Sequence, residues 1–285
     1  MIASILDGTV LGLQFGLLAV GLTLVYGLGG VLNLAYGQMA VVSAMVVGFA
    51  IDAGIPVLPA AMLGLLAGGL FGLLLDQTIL RRVYRLQGEA RVLLSLLLTI
   101  GVAFIIDGFL NWRYPLQALN IFVSGGAIEI LGVPMRRGSL LASAITLAVM
   151  AALFAFFRFT TLGRAVRSVI EDEEGARLVG IDPQRMLRLI LVLSGMLAAL
   201  VAITRSMVIP VDVQGGFPIT VFALIVAVVG GLGSVPGALL AGILLGIINS
   251  IAASTIGTFM SLVILLVAAA VTILIRPSGL LGVKE

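Results

Sequence analysis

"RVLLSLLLTIGVAFIIDGFLN", residues 91–111, runs from an arginine through fifteen uncharged residues before it meets Asp107. At 1.5 Å per residue, the sixteen steps from Arg91 to Asp107 cover roughly 24 Å of helix, most of the ~30 Å hydrocarbon thickness of a bilayer. A transmembrane β-strand needs only about ten residues and alternates in polarity along them. This run is longer and continuous, and its two hydroxyl residues, Ser95 and Thr99, share one helical face. It reads as a membrane-spanning helix with Asp107 toward one interface.

The composition generalises that reading. Of 285 residues, 61% are hydrophobic and 10% charged, with a mean hydropathy of +1.28. A water-soluble domain carries about 25% charged residues to wet its surface. The 36 glycines suit helices that approach closely through small residues. There is no Cys and no His, which excludes disulfides, thiolate or imidazole metal sites and His- or Cys-based catalysis. No cofactor or metal site is implied. The N-terminal residues lack a basic n-region and read as the start of the first span.

Apolar runs long enough to cross a membrane occur at about 8–28, 31–51, 56–76, 91–111, 138–157, 187–209, 217–232, 235–253 and 259–275. The runs 31–51 and 217–232 are the weakest. The expected fold is an all-α polytopic transmembrane bundle of eight or nine spans, and the charges favour nine. Placing 76–91, 158–188 and the end with Arg276 and Lys284 in the cytoplasm puts twelve of the 16 basic residues inside. The net charge of +3 then reflects membrane orientation and implies no nucleic-acid partner. Residues 112–138 fall outside, where "SGGAIEILGVP" predicts a small hairpin. Asp107 lies toward that face, an interfacial place where a solute-delivering partner could touch it. No stretch of soluble composition interrupts the chain, so 1–285 is expected to be one membrane domain.

One charged segment stands out, "EDEEGARLVGIDPQR" at 171–185 within the loop of about 158–188. It holds five of the 13 acidic residues. Asp172 fits an N-cap, with Glu173 and Glu174 in the first turn, where carboxylates suit the helix dipole. Glu173 and Arg177 are spaced i, i+4. Gly180 fits a left-handed helix stop, and Asp182-Pro183 starts a new helix. Its apolar residues Ala176, Leu178, Val179 and Ile181 could face a partner's groove. The segment is either a solvated loop satisfying the positive-inside rule or a docking element.

The spacing Glu174-Gly175-Ala176-x-x-x-Gly180 resembles the E-A-A-x-x-x-G signature of bacterial ABC importer permeases, with Gly175 in place of an Ala. "LLAVGLTLVYGLGGVLNLAYGQ", "LSLLLTIGVAFII", "TTLGRAVRSVIEDEEGARLVGID", "FALIVAVVGGLGSVPGALLAGILLGIINS" and "IRPSGLLG" occur in the order seen in branched-chain amino acid permeases, the H-type subunits of amino acid and amide importers. The resemblance implies a non-enzymatic permease subunit of an ATP-driven importer in the bacterial inner membrane. Its implied partners are a homologous permease, two cytoplasmic ATPases and a solute-binding protein. It also implies that Asp172, Glu173, Glu174, Gly175, Ala176, Arg177 and Gly180 couple to the ATPase. The solute is expected to be a branched-chain or other hydrophobic amino acid. A urea or short-amide permease, a ribose-type sugar permease and an ATP-independent facilitator stand as alternatives. One departure bears on the solute: Ala35-Tyr36-Gly37-Gln38 stands where the family typically has Ala-His-Gly-Glu.

Other motifs narrow the choice. No Gly-x-x-x-x-Gly-Lys-Ser/Thr occurs, so the glycine-rich 228–237 reads as a tight turn and the ATPase must be another polypeptide. Asn33, Tyr36 and Gln38 interrupt an apolar run; they read either as interhelical hydrogen-bonding groups or as a solute-path lining. Ser95, Thr99 and Asn249 are candidates for the same path, against the alternative that hydroxyls bond back to their own helix. The lack of a mid-membrane His or acidic relay weighs against a proton-coupled carrier, and the lack of His against an intramembrane protease.

Overall fold

The computed structural model describes residues 2–130, 132–276 and 278–282. Lys284 and Pro277 lie outside the described residues. Among the described residues, seven helices are long and apolar enough to cross a membrane: Ser4–Gly29, Val57–Val83, Gly88–Arg113, Arg137–Phe159, Pro183–Ser206, Val213–Gly230 and Val235–Thr255. Two shorter apolar helices, Tyr36–Asp52 and Phe259–Ile275, complete the nine runs expected from hydropathy. The chain is an all-α polytopic bundle.

In chain order the helices are α1 (Ile2–Gly29), α2 (Tyr36–Asp52) and α3 (Val57–Leu75), the last continuing through a π-turn (Asp76–Leu80) into α4 (Arg81–Val83). Then come α5 (Gly88–Arg113), α6 (Arg137–Phe159), α7 (Thr161–Glu171), α8 (Glu173–Leu178) and α9 (Pro183–Ser206). The last three are α10 (Gly216–Gly230), α11 (Val235–Thr255) and α12 (Thr258–Ile275). Helix α1 is the hub, packing on α11, α9, α10 and α6.

Lipid supplies no hydrophobic force between helices, so close packing must. On α1, Gly8, Gly12 and Gly16 repeat every four residues and face α11. A Cβ on Gly8 would lie 2.7 Å from Cα of Ile247, and one on Gly12 2.7 Å from Cα of Ile243. Gly242 and Gly246 return the contact, their missing Cβ atoms falling on the backbone of Gly16 and Gly12. A second seam joins α3 to α9: a Cβ on Gly68 would strike the Gly195 carbonyl and come within 3.0 Å of Ala199 Cβ. Leu97, Phe104, Ile105 and Leu274 remain exposed, as helices solvated by acyl chains require.

Connecting segments gather at two ends. At one, β1 (Ala118–Leu119) pairs antiparallel with β4 (Val211–Asp212). The hairpin expected in "SGGAIEILGVP" forms as β2 (Ile128–Ile130) with β3 (Val133–Met135). At the other end, residues 228–237 form the turn expected of them. Gly231 and Gly233 adopt positive φ, and Ser234 caps α11 by accepting from the Gly237 N–H. The N–H groups of Leu280 and Leu281 bond the Val229 and Gly230 carbonyls at 2.9 and 3.1 Å. The final described residues thus satisfy acceptors that the end of α10 leaves open.

Candidate functional site

The 31–51 run is interrupted because six residues between α1 and α2 are not helical. Helix α1 ends at Gly29; Gly30 takes φ +58° and donates to the Tyr26 carbonyl at 2.8 Å, a left-handed stop. Asn33 then starts α2: its Oδ1 accepts from Ala35 N–H at 3.0 Å, and its carbonyl accepts from Tyr36 N–H at 3.3 Å. An Asn side chain folded onto the backbone two residues on is the local device that replaces helix here.

Helix α5 supplies what the broken backbone lacks. Arg91 donates to the carbonyls of Leu86, Gly29 and Tyr84 at 2.7, 3.2 and 3.3 Å, placing a cation at the negative end of α1. Ser95 Oγ accepts from Leu32 N–H at 3.1 Å and Thr99 Oγ1 from Leu34 N–H at 3.0 Å. Both hydroxyls also bond back along α5, to Val92 O and Ser95 O at 2.7 Å. From α10, Thr220 Oγ1 accepts from Gly37 N–H at 2.8 Å and lies 3.2 Å from Leu34 O, toward which it can donate. Arg91, Ser95 and Thr99 recur every four residues, so one stripe of α5 grips the connector. Thr99 lies eleven residues into α5, roughly 16 Å along its axis. The break is therefore well inside the membrane, where irregular backbone is tolerated only when buried in protein or lining a cavity. Discontinuous helices at that depth are where transporters build solute sites.

The six candidate path residues divide. Asn33, Ser95 and Thr99 meet at the connector, and Gln38 stands in the first turn of α2. Tyr36 is buried and turns toward α1, its hydroxyl against Gly21. Asn249 sits on α11, which packs against α1, α10 and α12, and is not brought to the connector. Ser95 and Thr99 are fully buried; they bond back along α5, as one of their two readings expected, and brace the connector besides. Gln38 presses its amide against Gly216, the first residue of α10, and points Nε2 at Asp107 Oδ1. Thr220 and the bracing role of Arg91 went unread. The spacing of Arg91 with Ser95 and Thr99 was visible, but nothing local marks Thr220.

A second cluster lies at 158–188. Helix α7 was not expected; its signal is Thr160, whose Oγ1 accepts from Gly163 N–H at 2.9 Å. The rest follows the expected punctuation. Asp172 Oδ1 accepts from Glu174 N–H at 3.0 Å and caps α8. Arg177 pairs with Glu173 at 2.6 Å. Gly180 takes φ +85°, and Asp182 caps α9 ahead of Pro183. Gly175 leaves room for the capping carboxylate, which a Cβ there would touch. Of the four apolar residues expected to face a groove, Ala176 is buried and Ile181 half-buried, while Leu178 and Val179 are 89% and 75% exposed. Behind α8, Arg188 of α9 reaches the buried carboxylate of Asp76, in the π-turn of α3, at 3.3 Å.

A sequence profile described as "Branched-chain amino acid transport system / permease component" matches residues 4–276. The chain is 30% identical to the high-affinity branched-chain amino acid transport system permease protein BraD of Pseudomonas aeruginosa, across 99% of this chain and 95% of that one. It is 28% identical to the corresponding protein LivH of Escherichia coli, across 98% and 94%. Among solved structures it shares the fold of a chain of "PsaBC from Streptococcus pneumoniae in complex with Fab", at TM-score 0.50 and 15% identity, covering 96% of this chain and 95% of that one. With the profile spanning nearly its whole length, the chain belongs to the family of branched-chain amino acid transport system permease components.

Proposed function

We propose that the chain, acting as one unit over 1–285, is the permease subunit of an ATP-driven importer for branched-chain or other hydrophobic amino acids. It works beside a homologous permease, with two ATPases on one side of the membrane and a solute-binding protein on the other. The ATPases sit at the end holding 76–91, 158–188 and 276–282, which faces the cytoplasm of a bacterial inner membrane. The names of the relatives support the solute class, and the arginine distribution supports the orientation.

The observation that carries this reading is α8. A six-residue helix in water is unstable alone; this one is capped at its start, stopped by a left-handed glycine and closed at its end by the 2.9 Å bond from Ile181 N–H to Ala176 O. That rigidity leaves Leu178 and Val179 pointing into water, flanked by Glu173, Glu174 and Arg177. Exposed apolar side chains ringed by charge suit docking to a protein. Asp172, Glu173, Glu174, Gly175, Ala176, Arg177 and Gly180 together make the coupling element; Ala176 anchors it from within. ATPase closure pushes α8, and α9 carries the movement toward α3 through Arg188 and Asp76. The connector at 30–35 is the part of the path that can change shape, because side chains of α5 and α10, not a helical ladder, hold Leu32 and Leu34.

The test is co-purification. Leu178→Asp with Val179→Asp is expected to lose the ATPase while leaving the permease in the membrane. Full retention of the ATPase by that double variant would remove α8 from the coupling role.

A further inference from the structure

Asp107 is an unspent charge toward the far end of α5. It lies nineteen residues into α5, roughly 28 Å along the axis, and six residues, roughly 9 Å, short of Arg113 at the helix end. Even toward the interface, a carboxylate on a membrane-spanning helix is costly against lipid and is kept where it faces a path or a partner. The ion pairs among the described residues are Glu173–Arg177, Asp182–Arg185 and Asp76–Arg188. None of them involves Asp107. Among the described residues its one side-chain hydrogen bond comes from Gln38 Nε2 at 3.5 Å, the outer limit for such a bond.

Gln38 is itself underused. It is 2% exposed, yet its Oε1 has no hydrogen-bond partner among the described residues. A buried oxygen left unpaired destabilises the protein, so a structure that keeps one usually has a use for it. Gln38 stands in the first turn of α2, just beyond the break, and is packed on Gly216 at the start of α10. Where α2, α5 and α10 meet, Gln38 thus turns its Nε2 toward the Asp107 carboxylate and holds an unpaired Oε1 against Gly216.

We infer that Gln38 and Asp107 form the subsite that receives the ammonium group of a transported amino acid. This rests on the proposed amino acid permease function and names its recognition chemistry. A primary ammonium offers three N–H donors and a positive charge, enough to satisfy Asp107 Oδ1 and Gln38 Oε1 while neutralising the carboxylate. A urea or amide NH2 supplies donors without charge, and a sugar hydroxyl likewise, so either leaves the carboxylate uncompensated. Gln38 travels with α2, whose start is set by the connector, so a shift there parts the two oxygens and releases the ammonium.

The experiment has two arms on the full complex. In proteoliposomes with binding protein and ATP, wild-type uptake of labelled leucine tests the amino acid function itself; no uptake there overturns the function and this site with it. In nanodiscs without binding protein, equilibrium binding of labelled leucine tests the site. Leucinamide, which keeps the ammonium, is expected to compete, and 4-methylpentanoate, which lacks it, is not. Asp107→Asn is expected to weaken leucine binding ten- to a hundredfold, Gln38→Leu several-fold, and Asp107→Glu no more than about threefold. The glutamate variant and the competitor pair decide the matter if the asparagine variant does not fold. The inference is overturned if uptake works but wild-type complex binds no leucine at millimolar concentration. Equal competition by 4-methylpentanoate, or Asp107→Asn binding within twofold of wild type, overturns it as well.

Discussion

Removing the hydroxyls that hold the connector has a calculable effect. Thr99→Val is close to isosteric, so it deletes bonds without opening a cavity. Thr99 Oγ1 is fully buried and is the acceptor for Leu34 N–H at 3.0 Å; Ser95 Oγ serves Leu32 N–H at 3.1 Å. Each stranded amide costs about 1–3 kcal/mol. Ser95→Ala with Thr99→Val therefore destabilises the held form of the connector by roughly 2–6 kcal/mol if the two add. At 1.4 kcal/mol per tenfold, local opening becomes about thirtyfold to 10⁴-fold more frequent. Hydrogen exchange in nanodiscs, followed by mass spectrometry, reads this directly. Peptides covering 29–38 are expected to exchange at least about thirtyfold faster, while those covering the glycine seam of α1 at 8–20 keep their wild-type rate. Exchange at Leu32 and Leu34 within twofold of wild type would refute the claim that α5 holds the break.

Four further outcomes follow from the packing and the caps. Gly246→Val forces α11 off the backbone of Gly12, and overpacking of this kind costs about 1–3 kcal/mol or more; the folded, monodisperse fraction in detergent is expected to collapse, whereas Gly101→Val, with nothing within 4 Å of its Cβ, behaves as wild type. Arg188→Met strands the buried Asp76 carboxylate and is expected to lower thermal stability by about 1–3 kcal/mol, with Asp76→Asn added in the same chain recovering most of it. Glu173→Ala breaks a pair whose members are both well exposed, so its effect on stability in a melting assay is expected to stay below about 1 kcal/mol. Gly180→Val puts a β-branched residue at φ +85°, a strain of about 1–2 kcal/mol or more that deforms the α8–α9 junction; ATP hydrolysis continuing without uptake is the expected reading, and normal uptake would count against coupling through this segment.

Hydropathy and arginine placement recover nearly all of the fold, because in lipid the length of an apolar run and the charge at its ends decide most of the outcome. The caps at Asp172 and Asp182 and the stop at Gly180 were legible for a different reason: capping is a contract between residues two or three apart. Helix α7 escaped because its cap, Thr160, is also the residue that ends α6, so no linker separates the two helices. The break at 30–35 left a trace, the weak run with Asn33, Tyr36 and Gln38. Its cause could not be read, since the brace from Thr220 comes from a residue 183 positions away. Asn249 shows the converse. A polar residue in an apolar run announces that it needs a partner, yet packing leaves the buried Oδ1 of Asn249 without one among the described residues.

Under the proposed function, ATP drives a hydrophobic amino acid through this chain. Labelled leucine uptake into proteoliposomes holding the whole complex, with and without ATP on the ATPase side, measures this. Uptake is expected only with ATP and binding protein present, competed by valine and isoleucine but not by urea or ribose. Leucine entry through the permease alone, without ATP, would contradict it.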